Sequence, residues 1–171
     1  MKFSVSETIR APRHQVEAAL VDPAYYASLA TGTSSMRPPE LLDAALVDTT
    51  IETHVRYAFQ GQLSGPASMV VDSDKLTWVI AIRLETTTHV GTLRVLPDHY
   101  EGMLTCEATV ALDEVDGSTV ETISGVLEVK VPLVSGAAEK AILGGFTKYF
   151  EMEAAAMERF CQTPDPSTPS S

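Results

Sequence analysis

A chain of 171 residues with 44% apolar and 20% charged side chains has the make-up of a globular protein with one substantial core. Its net charge of -11 excludes a nucleic-acid partner, because phosphate binding needs clustered Lys and Arg and none is visible. No continuous apolar run approaches the roughly 18 residues that span a bilayer, so no membrane insertion is expected. The two cysteines, Cys106 and Cys161, are too few for a disulfide framework, and the segment from Met1 to Ser6 alternates instead of forming an apolar leader. Together they predict a cytoplasmic protein with reduced thiols.

The chain opens with Phe3, Val5 and Ile9 alternating against Ser4, Ser6, Thr8 and Arg10, the pattern of a half-buried strand. Ala11-Pro12 ends it, and Pro12 suits the first turn of a helix that takes Val16, Ala19 and Leu20 inward. A second short helix follows Asp22-Pro23 and carries Tyr25, Tyr26 and Leu29. Thr31 to Pro39 is turn-rich and reads as a loop.

Strands follow in series: Leu41 to Val47, Ile51 to Phe59, Lys75 to Leu84, Thr87 to Leu96, Glu101 to Leu112 and Ser118 to Val131. Ser64-Gly65-Pro66 suits the start of a short helix through Val71. Lys75 to Leu84 is apolar on both faces, which predicts cover on both sides or a local irregularity. Asp116-Gly117 is a hairpin signal between the last two strands. After Pro132 one long helix runs from Val134 to about Cys161, and the Pro- and Ser-rich Thr163 to Ser171 reads as a flexible tail. The predicted organisation is one domain over 1–162 and a tail over 163–171.

One strand, two short helices, six antiparallel strands and a long terminal helix make an α+β order. Ile9-Arg10-Ala11-Pro12-Arg13-His14-Gln15-Val16 is similar to the I-x-A-P-x-x-x-V start common in the START-like (SRPBCC) superfamily. Gly125 to Val134, followed by Ala138-Glu139-Lys140, resembles an uncharacterised bacterial branch of that superfamily. The resemblance implies the helix-grip fold, a curved antiparallel sheet of about seven strands wrapped around the C-terminal helix. It also implies that function sits in a cavity between the two, as in polyketide cyclases, pollen-allergen-type proteins and lipid-transfer domains.

On the terminal helix Ala138, Ile142, Phe146, Tyr149, Phe150, Met157 and Phe160 share one arc, the amphipathic pattern of a helix laid on a sheet. Two features break it. Gly144-Gly145 interrupts the centre, either to leave room for a ligand or a bend, or to let the helix approach the sheet closely. Glu153 falls near the middle of the apolar arc, where a carboxylate must be paired, protonated or facing a wet cavity. The plainer expectation is that the sheet has ended by this turn and Glu153 reaches solvent or an arginine. The alternative makes it a polar group of the cavity.

Taking the more apolar face of each strand as inward drafts a lining of Val5, Glu7, Val55, Tyr57, Trp78, Ile80, His89, Leu93, Leu104, Cys106, Ile123 and Leu127. With the helix, the candidate ligand-binding residues are Tyr57, Trp78, His89, Leu93, Leu104, Ile123, Ile142, Phe146, Tyr149, Phe150 and Glu153. Trp78 and His89 each have a plainer reading, as a packing anchor and as a hydrogen-bonded strand-end residue beside Thr86, Thr87 and Thr88. His14, His54, His89 and His99 are scattered, so no metal is expected, and no phosphate loop or nucleophile elbow points to a cofactor or to acyl transfer.

Three functions remain open. The cavity binds a hydrophobic small molecule such as a lipid, polyketide or isoprenoid-like compound. Or it houses cyclase- or hydrolase-type chemistry, for which His89 with Glu7 or Glu153 is the available acid–base set. Or the core is filled and the protein acts through its surface. Ligand identity, catalysis and oligomeric state are not legible in the residues.

Overall fold

The computed structural model describes residues 1–29, 36–60, 72–130 and 135–163. Most of the turn-rich segment from Thr31, the expected helix up to Val71, Pro132 and the tail after Thr163 lie outside them. The elements are β1 (Lys2–Ile9), α1 (Arg13–Leu20), α2 (Pro23–Ser28), β2 (Glu40–Val47), β3 (Thr50–Ala58), β4 (Thr77–Glu85), β5 (Val90–Pro97), β6 (Leu104–Val115), β7 (Ser118–Val129) and α3 (Ser135–Gln162).

The strands form one seven-stranded sheet in the order β1-β7-β6-β5-β4-β3-β2, antiparallel throughout. β2 to β7 is a meander, and β1 closes onto β7. The helices cover one face of this sheet, which makes the helix-grip arrangement that the element order implies. No helix among the described residues is long and apolar enough to cross a membrane.

Period-two alternation decides what faces the helices. Ile51, Val55 and Tyr57 of β3, Leu93 and Val95 of β5, and Cys106, Val110 and Leu112 of β6 are all buried in one cluster with α1, α2 and α3. The opposite face carries polar partners directly across the ladder: Glu52 with Arg83 at 3.1 Å and Arg94 with Glu107 at 3.4 Å. β4 is a regular strand, paired along its length with β3 and β5, and Val79 on its outer face is buried.

Turns account for the shifted strand ends. Thr86 to His89 closes the β4–β5 hairpin, with the His89 amide donating to the Glu85 carbonyl at 2.7 Å and His89 at φ 58°. β5 therefore begins at Val90, not at Thr87. Tyr100 (φ 60°) and Gly102 (φ 75°) turn the chain before β6, which begins at Leu104 and not at Glu101. Asp116 (φ 50°) and Gly117 (φ 76°) form the two-residue turn with both central residues left-handed, and Val115 pairs with Ser118 as that turn requires.

α3 is tied to β1 at both ends. The Met1 amino group lies 3.7 Å from Glu139, while Arg10 Nε meets Glu158 at 3.0 Å and the Arg10 amide donates to the same carboxylate. Such exposed pairs contribute little energy, so their value is alignment. The binding energy comes from Tyr149, Phe150, Ala154, Ala156 and Met157, all buried, at about 1.5–3 kcal/mol for each large side chain.

Gly144 and Gly145 do neither of the things their position suggests. α3 runs unbroken through both, both are exposed, and a Cβ built on either meets nothing within 4 Å. Gly125 is the opposite case: in mid-β7, a Cβ would stand 2.3 Å from the Glu107 carbonyl oxygen and 2.6 Å from Ala108 Cα. There the neighbouring strand approaches so closely that only glycine fits. Gly144→Ala and Gly145→Ala should each raise stability by about 0.5–1 kcal/mol, or about 1–4 °C in Tm, because α3 does not use their freedom. Gly125→Ala should lower Tm, and calorimetry of the three variants reads both signs.

Candidate functional site

Between α3 and the inner face of the sheet lies a cavity of about 50 Å³. Its walls are Ile9 of β1, Val16 and Leu20 of α1, Tyr25 and Tyr26 of α2, Thr53, Val55 and Tyr57 of β3, Ile80 and Ile82 of β4, Leu93 of β5 and Phe150, Ala154 and Met157 of α3. Two carboxyl side chains share it with these groups: Glu121 from the sheet and Glu153 from the helix. A single water needs about 10–15 Å³ on this scale, so the space holds a few waters or a small polar group.

Helical spacing places Glu153. Tyr149 and Glu153 stand one turn apart, beside Phe150, Ala154 and Met157 at intervals of four and three. The Tyr57 hydroxyl donates to Glu153 Oε1 at 3.1 Å, and the Tyr149 hydroxyl lies 3.5 Å from the same oxygen. Tyr57 is held in turn by Tyr149, edge-on at 5.2 Å between ring centroids, and by Trp78 stacked at 6.3 Å. The sheet has not ended at this turn: among the described residues Glu153 meets two tyrosine hydroxyls and no arginine. The expectation of an outward Glu153 is overturned because β3 extends under α3 and presents Tyr57 to it.

Strand parity places Glu121. It shares the inner face of β7 with Thr119, Ile123 and Leu127, all buried, and it lies opposite Glu7 of β1 and Leu112 of β6. Among the described residues it accepts no hydrogen bond and pairs with no cation. Glu121 and Glu153 are both half-buried, and both line the cavity.

Burial acts on both acids. Loss of hydration, with the nearby charge of Glu7, pushes the Glu121 carboxyl up to about 7. Loss of hydration and then the charge of Glu121 push Glu153 up to about 8, against the Tyr57 and Tyr149 hydroxyls, which favour its ionised form. Both carboxyls therefore hold a proton far above the usual carboxylate range, and ionising either one raises the cost of ionising the other. Burial also raises the phenols of Tyr25, Tyr26, Tyr57 and Tyr149, with the Glu153 charge adding to each, so they stay protonated donors.

Residues 4–161 match the model of the family described as "Protein of unknown function (DUF2505)". The chain belongs to the DUF2505 family. No curated protein sequence matches it.

Solved structures share the fold of this DUF2505 chain. TTHA0849 from Thermus thermophilus superposes with a TM-score of 0.62 at 14% identity, over 94% of this chain and 97% of that one. The ZhuI aromatase/cyclase from Streptomyces sp. R1128 gives 0.58 at 14% identity, covering 95% and 93%. Ara h 8.0201 gives 0.56 at 12% identity, covering 94% and 97%. At these identities the likeness is one of fold.

Of the residues singled out from sequence, Tyr57, Leu93, Phe150 and Glu153 line the cavity, and Tyr149 touches two of them. Trp78 stands behind Tyr57, and its buried indole Nε1 has no hydrogen-bond partner among the described residues. Ile123 is buried and Leu104 half-buried in the core away from the lining. Ile142 and Phe146 pack half-buried nearer the start of α3, with Phe146 6.1 Å from Phe150. His89 sits on the β4–β5 turn, where its Nδ1 meets Glu17 of α1 at 2.7 Å. His89 is therefore not brought to Glu7 or Glu153, since the turn that delays β5 carries it out of the strand face.

Glu121, Thr53, Tyr25 and Tyr26 line the site without having been singled out for it. Glu121 had a signal, the parity it shares with Ile123 and Leu127. Tyr25 and Tyr26 read as core because nothing in α2 says where its inward face ends. Among the described residues no cluster of three or more His, Cys, Asp or Glu could hold a metal ion.

Stability should carry the signature of the two acids. A carboxyl raised in the folded state holds its proton more tightly there than in the unfolded chain, so folding is favoured at low pH. That advantage is lost as pH rises from the ordinary carboxylate value of 4.5 through about 7 and 8. Glu121→Gln, which cannot ionise, should melt close to wild type near pH 5. It should melt higher by a gap that widens up to about pH 8 and reaches a few kcal/mol at most. Calorimetry across that range reads the gap, and a constant one would mean that Glu121 is not buried with its charge.

Proposed function

We propose that this DUF2505 protein binds a small molecule with an apolar body and one polar end in the cavity beneath α3. Its main support is the convergence of Glu121 from the sheet and Glu153 from the helix on a cavity whose other walls are mostly aliphatic and aromatic. A cavity of this composition desolvates an apolar body and orients it by a few polar groups. The Tyr57–Glu153–Tyr149 cluster supplies the orientation, because its geometry is already set by the ring contacts and the hydrogen bond. At about 50 Å³ the space takes a polar end or a short chain. A longer body, of lipid or polyketide size, requires α3 to shift from the sheet.

Acid–base chemistry in the same place is the second reading, favoured by the values near 7 and 8 for Glu121 and Glu153. A carboxyl that keeps its proton near neutrality is suited to general acid work, and one that has just lost it to general base work. The ZhuI aromatase/cyclase shares the fold at 14% identity, which makes cyclisation of a bound chain a compatible reaction class.

Ala154 lines the cavity from α3, and Ala154→Leu should fill it while adding apolar contact. Native mass spectrometry of the protein as purified, followed by solvent extraction, should find a small molecule on the wild type. Ala154→Leu should have lost it, with its Tm unchanged or raised. A molecule retained equally by both would place binding elsewhere and sink the proposal for this cavity.

A further inference from the structure

The cavity wall has an asymmetry of charge. It carries two carboxyl groups and no Lys, Arg or His. Glu121 has no hydrogen-bond or ion-pair partner among the described residues, and its neighbour across the β1–β7 ladder is a third acid, Glu7. Like charges directly opposite on one sheet face destabilise it, and a carboxyl in an apolar cavity without a partner costs more still. Tyr57 and Tyr149 both address Glu153 through Oε1, and no side chain among the described residues bonds its second carboxylate oxygen. These features share a missing complement: a positive charge with several N–H donors.

We propose that the polar end bound in this cavity is cationic, a protonated amine on a small apolar body, seated between Glu121 and Glu153. The proposal rests on the reading of the cavity as a ligand site and specifies the class of ligand. An alcohol could satisfy one carboxyl oxygen, yet it would leave the repulsion among Glu7, Glu121 and Glu153 in place. An ammonium offers three donors and one positive charge, so it serves both carboxylates and the field they create. Three tyrosines on the wall, Tyr25, Tyr26 and Tyr57, add rings that a cation tolerates better than aliphatic walls. Once Glu121 and Glu153 are ionised, a carboxylate ligand would be repelled.

Binding of a cation is coupled to proton release. The titratable groups around the site are Glu7 of β1, Tyr25 and Tyr26 of α2, Tyr57 of β3, Glu121 of β7, and Tyr149 and Glu153 of α3. The phenols are raised and do not titrate near neutrality, whereas Glu121 and Glu153 do, at about 7 and 8. An ammonium favours their ionised forms, so affinity rises with pH while the amine itself keeps its proton.

The test is isothermal titration calorimetry of the full chain with n-butylammonium, 1-butanol and butyrate, at about pH 6 and about pH 8.5. At the higher pH the amine should bind about tenfold or more tighter than the alcohol, and butyrate should not bind. The amine's advantage should shrink at the lower pH, and its heat should vary with the buffer as a proton is released. Glu121→Gln and Glu153→Gln should each remove most of the amine's advantage over the alcohol. Because 1-butanol reports on the cavity without charge, the two ideas fail separately. Binding of the alcohol with no advantage for the amine overturns the cationic ligand and leaves the cavity standing as a site. An amine preference unchanged in both variants assigns it to the acidic exterior and overturns the proposal. No heat from any of the three overturns both.

Discussion

Strand β7 is held on both sides, by β1 through eight residue pairs and by β6 through twelve, and α3 packs against β1 and β7. This clamping leaves β7 no freedom to turn an awkward residue outward. A one-residue slip would expose Ile123 and Leu127 to water, so the register that buries them also commits Glu121 to the interior. The same holds for α3. Rotating the helix to release Glu153 would expose Phe150, Ala154 and Met157, and the loss of apolar burial exceeds the cost of holding one carboxyl.

Two acids are therefore kept near one another by residues that have no chemistry of their own. The cost is carried as raised proton affinity of both carboxyls, and the tyrosines around them are arranged as donors. Local violations of the packing rules concentrate where a protein meets something else, since a purely structural core has no reason to keep them. The chain places this exception in the cavity beneath the terminal helix.

Scale separates the binding readings. A cavity of about 50 Å³ matches a small polar end, and a larger body requires α3 to ride away from the sheet. α3 is anchored to β1 at Glu139 and Glu158, near its two ends. Its middle turns carry the exposed Gly144 and Gly145, which add no packing to hold the helix down.

How much was legible differs between elements for physical reasons. Alternation in β3, β5, β6 and β7 and the amphipathic arc of α3 are local properties, so strand count, inward parity and fold class followed from the residues. The Asp116-Gly117 turn was legible because few other residue pairs adopt two left-handed conformations cheaply. His89 was misplaced since a turn residue in a left-handed conformation interrupts the alternation without leaving a mark in it. Glu153 was visible as an anomaly, but whether it met solvent or Tyr57 depended on how far β3 extends beneath α3. Glu121 had the right parity and lacked any local reason to be noticed. By itself the sequence determined seven strands, an amphipathic terminal helix and the inward parity of most apolar residues, because these follow from periodicity and steric rules along the chain. Only the tertiary structure decided that Glu121 and Glu153, 32 residues apart, share one cavity without a cation, because that depends on which strand the helix crosses and on what little space the packing leaves.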